Sequence, residues 1–317
     1  LERYARTLAN IAPFLTSKDA KIVDVGCAKG GFLSFLKTNG YTNLHGVDIN
    51  PSCVDYIQNE LGIPASVGLV HELPLAGRQA EVIIYSHVLE HIYDLYAALG
   101  QAEKVLKDDG LLYVELPDAL QYGRYPVSDF YWFGLREHIN HFDAVHLDYL
   151  LKNSGFSVIA QGDMPMPIAP GVENQLIYWA GRKNGFADFR KPCEFHNALR
   201  EAVQEYLSAE NQRLITRRRQ IKAMAQTGRP VYVWGIGLEF FAFSTLAGLN
   251  NCNLQGLVDK NPGKQGKTVN GLSIQGLDAL SHASPDTIIA ITSALHKDAM
   301  FDYLHQINFR GEVVVLA

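Results

Sequence analysis

Apolar residues along the first two thirds of the chain cluster into short runs, separated by stretches of helical periodicity. Residues 21–25, 43–47, 64–67, 80–85, 110–115, 155–160 and 174–180 read as strands. Between them, 1–15, 30–39, the stretch after Asn50-Pro51-Ser52, 93–107 and 143–154 read as amphipathic helices. Asn39-Gly40 supplies a helix C-terminal signal, and Pro51 suits a first helical turn. The helix over 93–107 is expected to stop at Asp108-Asp109-Gly110. Strands alternating with helices imply an α/β fold built on a parallel, doubly wound sheet. From 194 to 226 the pattern becomes one long helical run, with apolar residues at Phe195, Leu199, Val203, Tyr206, Leu207, Leu214, Ile221 and Met224. A second strand–turn–helix unit begins at Pro230, with strands at 231–234, 254–259, 287–291 and 313–316 and a helix over Leu238–Leu249. Three segments follow: a first domain over 1–185 with an insertion at about 118–142, a linker helix over 186–228, and a smaller α/β domain over 229–317.

At 317 residues the chain is long enough for two domains with full cores. Its 47% hydrophobic and 19% charged residues are ordinary for a globular protein. A net charge of −5 makes neither nucleic acid nor an anionic membrane surface the expected partner. The four cysteines (Cys27, Cys53, Cys193, Cys252) form no C-x-x-C pair, which points to a reducing, cytoplasmic setting and away from a zinc ribbon or disulfide framework. No apolar run is long enough to span a bilayer. The basic cluster Arg217-Arg218-Arg219 reads as a solvated helix face.

The chemistry concentrates where the first strand ends. Lys21-Ile22-Val23-Asp24-Val25-Gly26-Cys27-Ala28-Lys29-Gly30-Gly31-Phe32 is an apolar run closing on an acid, then a glycine turn, then a helix, the opening of a nucleotide-binding unit. Gly26 and Gly30 let backbone approach a ligand where a Cβ would clash. Asp48 ends the second strand, where a carboxylate accepts both hydroxyls of a ribose. The later turn Gly235-Ile236-Gly237 repeats the plan incompletely. Phe240 occupies its third glycine position and Glu239 sets negative charge where a pyrophosphate would lie, so a structural or acceptor-holding role is expected and not a nicotinamide site.

The motif Asp24-x-Gly26-x-Ala28-x-Gly30, with Asp48, His71-Glu72-Leu73-Pro74 and Ser86-His87-Val88-Leu89-Glu90-His91, resembles the class I S-adenosylmethionine-dependent methyltransferases. Ala28 stands in for the middle glycine, and Val70 stands where many relatives carry an acid that meets the adenine, leaving backbone near Gly68–His71 to hold it. The resemblance implies a Rossmann-like methyltransferase sheet plus a second, smaller Rossmann-like domain, with S-adenosyl-L-methionine as cofactor. It implies cofactor contacts from Asp24, Gly26, Cys27, Ala28, Gly30, Asp48, Ile49, Glu72, Ser86 and His87. Glu137-His138-Ile139-Asn140-His141-Phe142, and Val258-Asp259-Lys260 through Ile274, are similar to the nucleotide-sugar C-methyltransferases. In that family the histidine matching His138 is the catalytic base. The match implies His138 as base, with Glu137 or His141 orienting it, and a sugar or nucleotide-sugar acceptor. This chain departs from that family at Leu135 and His141, where a tyrosine is usual, and residues 1–317 carry no counterpart of its zinc-binding N-terminal domain. An O- or N-methyltransferase of a non-sugar metabolite and a non-catalytic cofactor-binding scaffold are the alternatives. Tyr125, Tyr131 and Trp132 are candidates for stacking on the acceptor. His87-x-x-Glu90-His91 suggests a metal by its residue types, but it belongs to the methyltransferase motif and has no third ligand nearby, so no metal is expected.

Overall fold

The computed structural model describes residues 1–124, 137–169, 172–184 and 197–316. Tyr125, Tyr131, Trp132, Leu135, Cys193 and Phe195 lie outside the described residues. The described residues divide into two compact units, one of residues 1–122 and 137–203, the other of residues 123–124 and 204–316.

Seven strands make the first unit's sheet: β1 (Ile22–Val25), β2 (Leu44–Asp48), β3 (Ala65–Val67), β4 (Ala80–Ser86), β5 (Leu106–Pro117), β6 (Phe156–Ala169) and β7 (Val172–Lys183). Their order is β3-β2-β1-β4-β5-β7-β6. The first five pair in parallel, and β7 runs antiparallel to both β5 and β6. A parallel strand covered on both faces should be apolar throughout. Ile22, Val23 and Val25 of β1 are buried, with Asp24 as the one polar exception. Alternate residues feed two cores: Val23, Val25, Ile83 and Tyr85 on one face, Ile22, Val82, Ile84 and Tyr113 on the other.

The helices of this unit are α1 (Glu2–Ile11), α2 (Gly31–Thr38), α3 (Pro51–Glu60), α4 (Leu95–Val105) and α5 (Ala144–Asn153). Their starts follow from side-chain caps. Asn50 accepts from Ser52 N–H, Asp94 from Ala97 N–H and Asp143 from His146 N–H. Gly40, at φ +86°, closes α2 as the Asn39-Gly40 signal predicts.

Two expectations change. Helix α4 stops at Val105, not at Asp108-Asp109-Gly110, because the N–H groups of Arg78 and Gln79 bond the Lys104 and Val105 carbonyls and draw the chain into the sheet. The acids then fall in a bulge of β5, between the pairs Ala80–Leu106 and Val82–Leu111. Strands β6 and β7 are also far longer than 155–160 and 174–180. Pro165 and Pro167 suggest a break, but β6 is the sheet's edge, where a proline removes no ladder bond.

The long helix α6 (Asn197–Gln226) belongs to the second unit from Gln204 onward, and its Leu214, Ile221 and Met224 are buried in that unit's core. Its strands are β8 (Val231–Trp234), β9 (Leu254–Val258), β10 (Thr268–Val269), β11 (Leu272–Gln275), β12 (Ile288–Ile291) and β13 (Glu312–Val315), ordered β10-β11-β9-β8-β12-β13. The helix expected over Leu238–Leu249 is shorter. Helix α7 covers Leu238–Ala242, then the chain widens into a π turn at Phe243–Ala247 and ends at Gly248 in the left-handed region. A final helix, α8, spans Lys297–Gln306. Among the described residues no helix is long and apolar enough to cross a membrane.

Candidate functional site

At the carboxyl ends of β1, β4 and β5 lies a cavity of about 740 Å³, the place where ligands bind in open α/β sheets. Asp24, Gly26, Cys27, Ala28, Gly30, Ser86 and His87 of the expected set line it. The turn after β1 is held by Gly26 N–H and Cys27 N–H to the Val47 carbonyl and by Gly30 N–H to the Cys27 carbonyl. Two of its glycines are sterically required. A Cβ on Gly26 (φ +73°) would meet Val88 Cγ2 at 2.6 Å, and one on Gly30 (φ +70°) would meet Ile57 Cγ1 at 2.8 Å. Ala28 also sits at positive φ (+47°), so the residue replacing the middle glycine carries a strained backbone. Its N–H donates to Asp48 Oδ2 at 2.8 Å, while Asp48 Oδ1 accepts from Asn50 N–H at 2.9 Å. Asp48 thus fixes the loop to the start of α3. Cys27 contributes backbone to the cavity. Its thiol is buried beside Gly46 and Leu33, and burial pushes it far above the ordinary thiol range.

Asp48, Ile49 and Glu72 stand off the cavity lining. Ile49 is 68% exposed, and Glu72 is exposed in a short bridge to Leu69. Gly68 N–H, one of the backbone groups expected near adenine, is bonded to the Asp48 carbonyl.

The sequence reading missed the acid on β5. Glu115 is 1% exposed and accepts from Ser86 Oγ (2.6 Å), Thr7 Oγ1 (2.8 Å), Tyr113 Oη (3.0 Å) and Arg3 (3.3 Å). Arg3 also donates to Ser86 Oγ. Leu1, Arg3, Tyr4 and Thr7 bring α1 against the cavity. The available signal was a lone acid inside the apolar run Leu111-Leu112-Tyr113-Val114-Glu115-Leu116. Asp24, 4% exposed, is pushed up to about 7, chiefly by burial and next by the charge of Glu115, with Arg3 opposing. Two buried carboxylates and glycines that admit no Cβ fit a ligand that is cationic and lies close to the backbone. S-adenosylmethionine, with its sulfonium and ammonium, meets both requirements.

The histidines gather beside this cavity. The segment 137–140 is clamped to the turn at Leu89–Ile92. Ile139 N–H and Asn140 N–H donate to the Glu90 carbonyl (2.9 and 3.0 Å), and Asn140 Nδ2 donates to the Leu89 and Ile92 carbonyls (3.2 and 2.7 Å). His91 and His138 rings meet edge to face with centroids 4.7 Å apart. The Glu137 side chain is exposed, and its backbone carbonyl bonds His91 Nδ1 at 2.9 Å. His141 Nδ1 lies 2.7 Å from Tyr122 Oη. Burial lowers the pKa of both His138 and His141. At His138 the charge of Glu90 opposes the shift, and His91 and His87 add to it. The fold brings His138, 47 residues beyond His91, to Glu90 and His91, so that one ligand atom of each lies within 4.8 Å of the others.

A seven-stranded sheet with one antiparallel strand inserted next to the edge, a glycine turn after β1 and an acid ending β2 define a class I S-adenosylmethionine-dependent methyltransferase domain. Residues 1–161, just over half of the chain, match the family described as methyltransferase domain, and the chain belongs to that family. It is 24% identical over 162 residues to a probable S-adenosylmethionine-dependent methyltransferase of Mycobacterium tuberculosis, covering 50% of this chain and 56% of that protein. It is 28% identical over 116 residues to a ubiquinone biosynthesis O-methyltransferase of Bartonella tribocorum, covering 35% and 45%. The matches therefore span about half the length of these curated relatives. Among solved structures, a SAM-dependent methyltransferase of Methanosarcina mazei aligns at 17% identity with a TM-score of 0.47, over 55% of this chain and 96% of that one.

Proposed function

We propose that the whole protein transfers a methyl group from S-adenosylmethionine to a small acceptor, a sugar or nucleotide-linked sugar, in the cytoplasm. The observation carrying this reading is the cavity at β1, β4 and β5, where Gly26 and Gly30 admit the cofactor's backbone approach and Asp24 and Glu115 offer buried negative charge. When bound, the cofactor supplies an electrophilic methyl on a sulfonium that leaves as a neutral thioether. The chain must then align the acceptor, exclude water and handle the acceptor's proton. His87 lines the cavity, and Glu90, His91 and His138 stand beyond it. His138 is the residue we assign to that proton, since burial lowers its pKa and favours the neutral ring that can accept it. Glu137 and His141 are placed as neighbours that hold the segment, Glu137 through its carbonyl to His91 and His141 through Tyr122. The sugar acceptor is supported by the likeness of 137–142 and 258–274 to the nucleotide-sugar methyltransferases. The cytoplasmic setting is supported by the free thiols of Cys27, Cys53 and Cys252.

A second reading is oxygen methylation of a non-sugar metabolite, favoured by the likeness to the Bartonella ubiquinone O-methyltransferase. Isotope-labelled S-adenosylmethionine offered with a pool of nucleotide sugars separates the two by mass spectrometry. A labelled sugar is expected, and its fragments identify the methylated atom. Cofactor binding without sugar label would overturn the sugar reading. His138→Ala should retain cofactor binding and lose about 10²–10⁴-fold in turnover. Full turnover would remove His138 from the proton step.

A further inference from the structure

Glu90 is an anomaly in this fold. It is 2% exposed, yet among the described residues neither carboxylate oxygen accepts a hydrogen bond. His87 Nδ1 lies 3.3 Å from its Oε1. A buried carboxylate left in this state costs several kcal/mol unless a cation or donor faces it. The imidazoles of His91 and His138 do face it. One ligand atom from each of Glu90, His91 and His138 lies within 4.8 Å of the others.

Tautomer chemistry sharpens the case. The Glu137 carbonyl can only accept, so His91 Nδ1 carries the hydrogen of that 2.9 Å contact, and the lone pair of the neutral ring is at Nε2. A backbone carbonyl orienting a histidine through its second nitrogen is the usual support of a metal-ligating imidazole. The clamp of 137–140 on Leu89–Ile92 holds His138 in register with that ring, from two points distant in sequence. His87 Nε2, also buried and without a hydrogen-bond partner among the described residues, adds a fourth nitrogen on the cavity side.

We propose that Glu90, His91 and His138 bind a divalent transition-metal ion of the zinc type, with a remaining position open toward His87 and the cofactor cavity. Two imidazoles and one carboxylate are a zinc-type donor set. Magnesium would demand mostly oxygen ligands. Tetrahedral bonds of about 2.0–2.1 Å place ligands about 3.4 Å apart, a spacing that falls inside the 4.8 Å within which these three atoms lie. The use of the ion in methyl transfer rests on the methyltransferase reading. With the ion bound, His138 would serve as a ligand in place of the base role assigned above, and the ion would supply Lewis acidity that lowers the pKa of an acceptor hydroxyl, whose proton would pass to water.

The test titrates the metal-stripped full chain with Co²⁺, followed by its visible d–d absorption, and with Zn²⁺ by calorimetry. One equivalent should bind. Glu90→Gln, His91→Ala and His138→Ala should each weaken binding by about tenfold or more. His45→Gln, whose ring pairs with Ser66 on β3, should leave it unchanged. Circular dichroism of each variant checks folding, and the exposed His91 is the substitution the fold tolerates most readily. Absence of stoichiometric binding, or binding unchanged by both Glu90→Gln and His138→Ala, overturns the proposal. S-adenosylmethionine affinity measured on the same metal-free sample separates this outcome from failure of the methyltransferase reading.

Discussion

The two glycine turns of this chain start from the same local plan and end in different environments. After β1 the turn at Gly26–Gly30 opens on a cavity of about 740 Å³, and after β8 the turn at Gly235–Gly237 opens on one of about 250 Å³. Each is followed by a strand ending in an acid, and each acid caps the turn. Asp48 takes the Ala28 N–H, and Asp259 takes the Ile236 N–H at 3.0 Å. The difference lies in what else meets the acid. Lys264 Nζ contacts Asp259 Oδ2 at 2.9 Å and donates to the Ile236 carbonyl at 2.7 Å, so a side chain of the protein neutralises the second site. Burial works to raise the pKa of Asp259, and the Lys264 hydrogen bond and charge, with two backbone N–H groups, outweigh it and lower the pKa. In the first unit the cavity's acids tell the opposite story, for Asp24 is pushed up to about 7 by burial and the nearby Glu115. A strand–glycine–helix turn is therefore a scaffold. Whether it holds a cationic ligand depends on whether the protein has already supplied the cation.

The largest expected effect breaks the apparent symmetry of the turns. Gly26→Ala puts a methyl 2.6 Å from Val88 Cγ2 at a positive φ, and should reduce S-adenosylmethionine affinity by about 100-fold while costing about 1–3 kcal/mol of stability. Gly237→Ala meets nothing within 4 Å and keeps an ordinary extended backbone, so it should leave affinity and melting temperature unchanged. Calorimetry and thermal melts on the pair decide the matter. Equal loss from both would mean that the second turn is also a cofactor cradle.

The next effect sharpens the contrast between the acids. Asp24 holds its proton up to about pH 7, whereas the unfolded carboxyl releases it near pH 4. Between those values the native state binds more protons than the unfolded state, so this group's contribution to stability falls as pH rises across that window. A cationic ligand favours ionised Asp24. Affinity for S-adenosylmethionine should therefore rise with pH, at most tenfold per unit, up to about pH 7, and then level off. Asp24→Asn should flatten the profile and weaken binding at pH 8. A profile unchanged by this substitution would assign the linkage to another group.

Much of this was legible in the chain because local signals agreed with tertiary ones. The apolar run closing on Asp24, the Asn50-Pro51 helix start and the Asn39-Gly40 stop act within a few residues, and the structure carries each out. What failed depends on partners distant in sequence. The end of α4 is set by β4's approach through Arg78 and Gln79, and the length of β6 by its edge position. Glu115 becomes part of the cavity only when Arg3 and Thr7 arrive from more than 100 residues away. The Glu90–His91–His138 group has the same character. Its spacing was visible as a pair on one turn, and the third member comes from beyond β5.

The smallest effect concerns the position where the first turn departs from its family's pattern. Ala28 holds φ +47°, a region that costs an alanine about 1–2 kcal/mol relative to a right-handed conformation and costs glycine nothing. Against this, glycine broadens the unfolded ensemble by about 0.4–1 kcal/mol. The balance predicts that Ala28→Gly stabilises the protein by up to about 1.6 kcal/mol, readable as a small rise in denaturation midpoint at unchanged slope. The Ala28 N–H bond to Asp48 is a backbone contact and survives the change, so cofactor affinity should shift less than about twofold. A clear loss of affinity would show that the alanine methyl itself contacts the cofactor, and that the middle glycine was replaced for binding and not merely tolerated.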